Sequence, residues 1–358
     1  TKLESLDFEN RATAGEFVGL GFKNTLMGII TLTLYRFWGR TEVRRRIWAN
    51  TFLNNEPFEY TGKGGELFKG FLLAIALFTI PYLLLIFIAQ LMPPVLAGII
   101  FIAYFLGLFL IIGAAIWLAF RYLASRTTWR GIRFKLGGKP FDFSLMYFKQ
   151  GILQAITLGW WSPKVSVKIA KELWGNMHFG NLKFEFDETK IDMGKLFKLF
   201  AIGWVGIVIG DIIFIGALGE NLMALSDQDL ILQDPGKFGK MLLTIYAYLF
   251  LFAIFIFFAF MAYRVEVLKS IAKAISLDGA SFTFDFKISS FIVLWITNIL
   301  IIIFSLGICY PVVQARSVKF LINNLKSDGK VDFTKIEQTD AGPDQAEGLS
   351  DALDIGII

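Results

Sequence analysis

Reactive chemistry is sparse in this chain. Its 358 residues include one histidine, His178, and one cysteine, Cys309. A lone histidine cannot assemble a metal cluster, which draws on several His, Cys, Asp or Glu ligands. Cys309 ends an apolar run with no base near it in sequence, so the two do not form a nucleophile pair. No glycine loop of the GxxxxGK type occurs, and Gly62-Lys63-Gly64-Gly65 reads as a linker. No catalytic residue, cofactor site or metal site is expected, and the chain reads as a non-enzyme. His178 falls where Phe52 falls in the repeat described below, so its expected role is packing.

The remaining polar residues form three groups. Asp211 lies in the apolar run 207–214, about 22 Å into its helix at ~1.5 Å per residue, beyond the bilayer centre. A carboxylate there is costly and faces protein or water. It reads either as part of a polar route or as a solvated residue near the outer surface. The neighbouring Gly206-x-x-x-Gly210 reads as a helix-packing motif. Lys23 and Lys149 share one repeat position and are expected to snorkel toward headgroups. Arg44, Arg45 and Arg46, then Lys168 and Lys171, then Lys319 form basic helix faces. These faces suit anionic lipid headgroups, at about 1 kcal/mol per charge near the surface. Because they lie against the membrane, nucleic acid is not an expected partner, whereas other membrane-protein subunits are possible ones. Asn50, Asn176 and Asn324 also recur and are expected to satisfy backbone groups where helix meets strand.

The elements that carry these residues repeat. Adding 126 to Phe8, Phe17, Phe22, Lys23, Leu32, Trp48, Asn50 and Phe58 gives Phe134, Phe143, Phe148, Lys149, Leu158, Trp174, Asn176 and Phe184. Adding 274 to Phe8, Phe17, Asn24, Leu32 and Asn50 gives Phe282, Phe291, Asn298, Leu306 and Asn324. A period this long is a domain-sized unit rather than a solenoid repeat. Each unit reads as strand, apolar helix, basic amphipathic helix, strand. Its first and last strands are expected to pair. In the first unit Val43, Ile47, Trp48, Thr51 and Phe52 share a helical face. The apolar segments 17–38 and 143–161 are read as re-entrant or interfacial, because the second has basic sequence on both flanks. Segment 291–310 reads as spanning on hydropathy alone.

Composition supplies the class. Hydrophobic residues make up 55% of the chain, above the roughly 45–50% of soluble domains, and mean hydropathy is +0.60. Residues 67–90, 95–120, 196–218 and 241–263 each supply the ~20 apolar residues of a spanning helix. Net charge is +5. Lys and Arg crowd residues 36–66, 121–139, 164–198 and 316–335, while the loop after the third span carries Glu220, Asp227, Asp229 and Asp234. The positive-inside rule therefore predicts cytoplasmic modules, cytoplasmic termini and external hairpin tips. The polar opening TKLESLDFENR has no secretory-signal pattern. Basic helices are expected over residues 121–132 and 264–275, matching at an offset of 143. The acidic tail, 336–358, is expected to be disordered until it meets a partner, and to be held then by basic residues of the module helices or of a partner protein.

One stretch carries a family likeness. Residues 17–34, then Tyr35-Arg36-Phe37-Trp38-Gly39-Arg40-Thr41-Glu42-Val43-Arg44-Arg45, then Asn54-Asn55-Glu56-Pro57-Phe58-Glu59-Tyr60-Thr61-Gly62, resemble the bacterial YjgN family. Thr157-Leu158-Gly159-Trp160-Trp161-Ser162-Pro163 is similar to that family's TLG-x-x-x-P motif, and residues 305–311 are a looser copy. Lys164 and Val312 depart from it where a Trp is expected. The resemblance covers residues 8–335 and implies a bacterial inner-membrane protein. The family has no assigned activity, so it implies no site residues.

The expected fold is mainly α: a polytopic membrane protein of three modules separated by two transmembrane hairpins. Module one is residues 1–65, hairpin one 66–120, module two 121–194, hairpin two 195–264, module three 265–335 and the tail 336–358. The expected function is a scaffold or accessory subunit of a membrane assembly. The alternative is a transporter or channel using Asp211.

Overall fold

The computed structural model describes residues 3–224 and 234–338. The chain opens with β1 (Leu3–Ser5), β2 (Phe8–Asn10), α1 (Ala14–Ile30), α2 (Arg36–Ala49), β3 (Thr51–Leu53), β4 (Glu56–Pro57) and β5 (Glu59–Tyr60). Helix α3 (Gly64–Ala74) runs through a π-turn, Ile75–Thr79, into α4 (Ile80–Ala89), and α5 (Pro94–Ser125) returns. Next come β6 (Thr127–Trp129), β7 (Ile132–Leu136), α6 (Pro140–Ile156), α7 (Ser162–Trp174), β8 (Met177–Phe179) and β9 (Leu182–Phe186). A second long pair follows: α8 (Met193–Ala224), then α9 (Pro235–Ala259) continuing into α10 (Met261–Ala274). The last elements are β10 (Ile275–Leu277), β11 (Ala280–Phe284), α11 (Ile288–Phe304), α12 (Tyr310–Asn323), β12 (Leu325–Asp328) and β13 (Lys330–Asp332).

Among the described residues, four helices are long and apolar enough to cross a membrane: Gly64–Ala89, Pro94–Ser125, Met193–Gly216 and Pro235–Ala274. They make this an integral membrane protein, since no soluble fold leaves such lengths of apolar helix uncovered. Glycines set the contact within the second pair. A Cβ on Gly206 would meet Ala259 at 3.6 Å, and one on Gly210 would meet the Phe252 ring at 2.5 Å. The Cβ on Gly206 would make ordinary contact, whereas at Gly210 the Phe252 ring would have to move aside to admit one.

The strands form an antiparallel run from β5 to β12 in chain order, and β2, β3 and β4 form another. Phe58 links the two runs, its N–H donating to the Thr51 carbonyl at 2.9 Å. β1 pairs with β13, so the first and last strands meet. Phe8 faces Leu53, Phe134 faces Phe179, and Phe282 faces Ser327. Leu6, Leu53, Trp129, Leu136, Phe179, Phe184, Leu277, Phe282 and Val331 pack into one buried cluster beneath them. Within it the Phe134 and Phe179 rings lie 4.7 Å apart, and Trp129 and Phe333 4.9 Å apart.

Two expectations about these strands need correction. Thr51 and Phe52 do not continue a helix; α2 ends at Ala49 and they belong to β3. The strand at Phe8 pairs with β3 rather than with residues 58–60, and β5 pairs outward with β6. Three-residue strands carry too little alternation to be read as a period. The helix expected over residues 121–132 stops at Ser125, where α5 ends, and two strands follow. The strand registers relate Thr128–Arg133 to Ser276–Ser281, 148 residues apart, and not by the offset of 143 that charge matching suggested.

Helices α1, α6 and α11 each have 17 residues, about 25 Å at ~1.5 Å per residue and short of a ~30 Å hydrocarbon core. The chain then reverses. Gly159 N–H donates to the Gln154 carbonyl at 2.7 Å, Gly307 to Ile302 at 2.8 Å and Thr33 to Gly28 at 2.6 Å, in left-handed helix caps. Segment 291–310, which reads as spanning on hydropathy, is also broken this way: α11 ends at Phe304 and α12 runs back along it. Asn298, buried between the two helices, donates to Ser317 Oγ at 3.1 Å and accepts from Arg316 Nε at 3.1 Å. Leu32, Leu158 and Leu306 at the three turns are 83%, 75% and 90% exposed.

Residues 336–338, the start of the tail, lie on the β8–β9 turn. Asn181 N–H donates to the Glu337 carbonyl at 3.1 Å, and Glu337 N–H donates to Asn181 Oδ1 at 3.1 Å. The acidic remainder of the tail lies outside the described residues, as do Asp227 and Asp229.

Candidate membrane interface

The basic faces come from the returning helices α2, α7 and α12, and the structure sorts them. Arg45 and Arg46 are exposed, with Arg45 Nη2 donating to the Gly62 carbonyl at 3.2 Å. Arg44 is only 3% exposed, with its guanidinium 6.0 Å from the Tyr60 ring centroid. It cannot reach a headgroup from there, contrary to the sequence reading, because α2 is covered on the side of Thr41 and Arg44 as well as on that of Val43 and Ile47. Lys168 and Lys171 are exposed, and Lys171 lies 3.2 Å from Glu188. Lys319 is half-buried and donates to the Ala12 carbonyl at 2.7 Å, tying α12 to the start of α1. These cations are distributed over three helical hairpins rather than gathered into one patch.

Lys23 and Lys149 have different surroundings. Lys23 Nζ donates to both Glu42 carboxylate oxygens at 2.8 Å, bridging α1 and α2. Lys149 is exposed on α6. Asp211 is half-buried on α8. Asn50, Asn176 and Asn324 do the same thing three times. Each side-chain amide donates to the carbonyl four residues back, of Arg46 at 3.0 Å, Glu172 at 2.7 Å and Phe320 at 2.7 Å. The bond closes the last helical turn where the strand begins. His178 Nδ1 lies 2.9 Å from its neighbour Asn176's carbonyl.

Sequence reasoning missed an ion pair at the strand-side end of the first long pair. Arg126, after α5, lies 3.0 Å from the Glu66 carboxylate at the start of α3. Glu66 also accepts from the Tyr122 hydroxyl at 3.1 Å. The available signal was one acid, Glu66, among the few charged residues at the two ends of the hairpin, Lys69, Arg121 and Arg126. Farther out, Arg130 at the β6–β7 turn pairs with Glu56 at 2.8 Å and Glu4 at 3.5 Å. The Arg130 hydrogen bond holds the Glu56 carboxyl below its ordinary range.

A family model described as a bacterial protein of unknown function, DUF898, matches residues 5–352. A stretch of 66 residues, 18% of the chain, is 36% identical to a protein named inner membrane protein YjgN from Salmonella typhimurium. That stretch spans 17% of the relative's length. No solved structure matches.

Proposed function

We propose a function from the premise that this chain belongs to the DUF898 family of bacterial proteins: it is a non-enzymatic scaffold of the inner membrane. In this reading the chain crosses the bilayer four times, with both termini and the strand layer cytoplasmic. Three modules form one platform, joined where β13 meets β1, and each sends a helical hairpin into the inner leaflet. Its partners are anionic lipids and further membrane-protein subunits.

One observation carries the reading. The first two hairpins each join an exposed apolar turn to a returning helix that carries exposed cations. Leu32 and Leu158 stand exposed at these turns, as Leu306 does at the third, with Arg36, Arg45 and Arg46 exposed along α2 and Lys164, Lys168 and Lys171 along α7. Apolar side chains beside a cationic helix suit the boundary between acyl chain and headgroup. The relative named for the inner membrane supports the compartment. No observation favours transport: Asp211 is half-buried on α8, followed by exposed Ile212 and Ile213.

The test is lipid retention in native mass spectrometry. Arg45, Arg46, Lys168 and Lys171 changed together to Gln should weaken retention of phosphatidylglycerol several-fold and leave phosphatidylethanolamine unaffected. Unchanged retention would reject the headgroup role.

A further inference from the structure

The second transmembrane pair does not close on the last hairpin as the first closes on the middle one. Helix α5 is unbroken and lies hard against α6. A Cβ on Gly113 would sit 2.8 Å from Ser144 Cα, and one on Gly151 would sit 2.3 Å from the Phe109 ring. Trp117 fills the space above Phe143 at 5.0 Å between ring centroids. By the strand registers, 148 residues on, Met261 stands where Gly113 does and Val265 where Trp117 does. Met261 and Val265 are buried in one cluster with Phe291, a larger side chain in place of the glycine and a smaller one in place of the tryptophan. The helix also breaks at Phe260, whose ring faces Gly203 and Phe200 of α8.

What remains is a cleft of about 320 Å³ between α7, α9, α10 and α11. Phe257, Met261, Leu268, Phe291 and Trp295 wall it, and the hydroxyls of Ser166 and Tyr263 meet there at 3.2 Å. The exposed Arg264 lines it too, its guanidinium 5.1 Å from the Phe257 ring centroid. Other cations nearby are engaged: Lys195 with Glu266 at 2.7 Å, Arg316 with Asn298 and Thr297, and Lys269 with the Phe286 carbonyl. Among the described residues, Arg264 has no carboxylate or carbonyl partner.

Depth identifies what Arg264 meets. No charged residue lies between Lys240 and Arg264. That stretch is about 36 Å of helix against a hydrocarbon core of ~30 Å, so Arg264 reaches the headgroup level of the leaflet on the strand side. At that level a phosphate stands directly above acyl chain. A guanidinium takes phosphate oxygens in a paired fork, and the apolar walls suit the chain below. A zwitterionic headgroup would also need a carboxylate for its amine, and Glu266 is already bound to Lys195.

We propose that this cleft holds one anionic phospholipid, with its phosphate on Arg264 and an acyl chain along Phe257, Leu268, Phe291 and Trp295. The proposal rests on the membrane placement argued above, but not on the basic helix faces.

Native mass spectrometry with phosphatidylglycerol and phosphatidylethanolamine tests it. The wild-type chain should keep a single phosphatidylglycerol at activation energies that strip all other lipid. Arg264→Gln should weaken that retention roughly tenfold, the order expected for a lost charge-assisted hydrogen bond; Arg264→Lys should restore part of it. Leu268→Trp, which fills the cleft without touching the charge, should also release the lipid, with folding checked by thermal unfolding. The four-Gln variant of the helix faces should keep the lipid, which separates failure of this site from failure of that reading. Equal retention of both lipids by the wild type, or a folded Arg264→Gln protein that still holds its phosphatidylglycerol, would overturn the proposal.

Discussion

At Thr33 the backbone has φ +71°, while the corresponding turns carry Gly159 at +90° and Gly307 at +84°. A β-branched side chain in the left-handed region costs about 1 kcal/mol or more, whereas glycine pays nothing there. Thr33→Gly should therefore raise stability by about 1 kcal/mol and increase the melting temperature in detergent. Gly159→Thr should lower it by a similar amount. Equal melting temperatures for all three proteins would show that the surrounding turn absorbs the strain. The caps of the returning helices are another residue-scale effect. Recurrence of Asn50, Asn176 and Asn324 was legible in the sequence, and an asparagine at a helix end has one obvious use. Arg44 was not legible, because three consecutive arginines look alike until a neighbouring helix covers one of them.

Among the elements, the first long pair is held at its strand-side end by Glu66 and Arg126, whose side chains are 24% and 7% exposed. Removing one partner strands the other in a largely water-free site. Glu66→Ala should cost about 3 kcal/mol, and adding Arg126→Met should recover part of that loss, since no charge is then left alone. A double-mutant cycle of thermal unfolding measures the coupling; strictly additive losses would mean that the two residues act separately. The pair also explains why residues 121–132 mislead as sequence. Arg121, Arg126 and Arg130 recur like a basic helix face. Yet Arg126 closes the helix and Arg130 sits at a turn with φ +49°, so three arginines serve three different elements.

Over the whole molecule, the strand layer joins its own ends at β1 and β13, and Asp332 stands at that seam, 2% exposed. Its carboxylate accepts from the Thr334 hydroxyl and pairs with Lys335 at 3.1 Å, and these contacts lower its pKa. A carboxyl with a depressed folded pKa contributes stability above its ordinary value of about 4. It loses that contribution as pH falls through the folded value. Glu56, lowered by Arg130, has the same sign. Melting temperature should thus hold steady down to roughly pH 4 and fall below it. Asp332→Asn should have a lower plateau and a shallower acid limb. An acid limb unchanged by that substitution would place the sensitivity elsewhere.

By itself the sequence determined the class of the molecule, its four long apolar helices and its family likeness. Each rests on local energetics: a run of ~20 apolar residues needs no partner to declare itself, and Leu158-Gly159 or Leu306-Gly307 can cap a helix from within one turn. Only the tertiary structure decided which strands pair, that Arg44 is buried while Arg45 is not, and that one seam is closed while the other is open. Three-residue strands are stable only in a layer that closes across more than 300 residues, from Leu3 to Asp332. The cleft beside Arg264 exists because Met261 and Val265 stand where the first seam has Gly113 and Trp117. That difference has meaning only against the facing helix, whose distance no local pattern records.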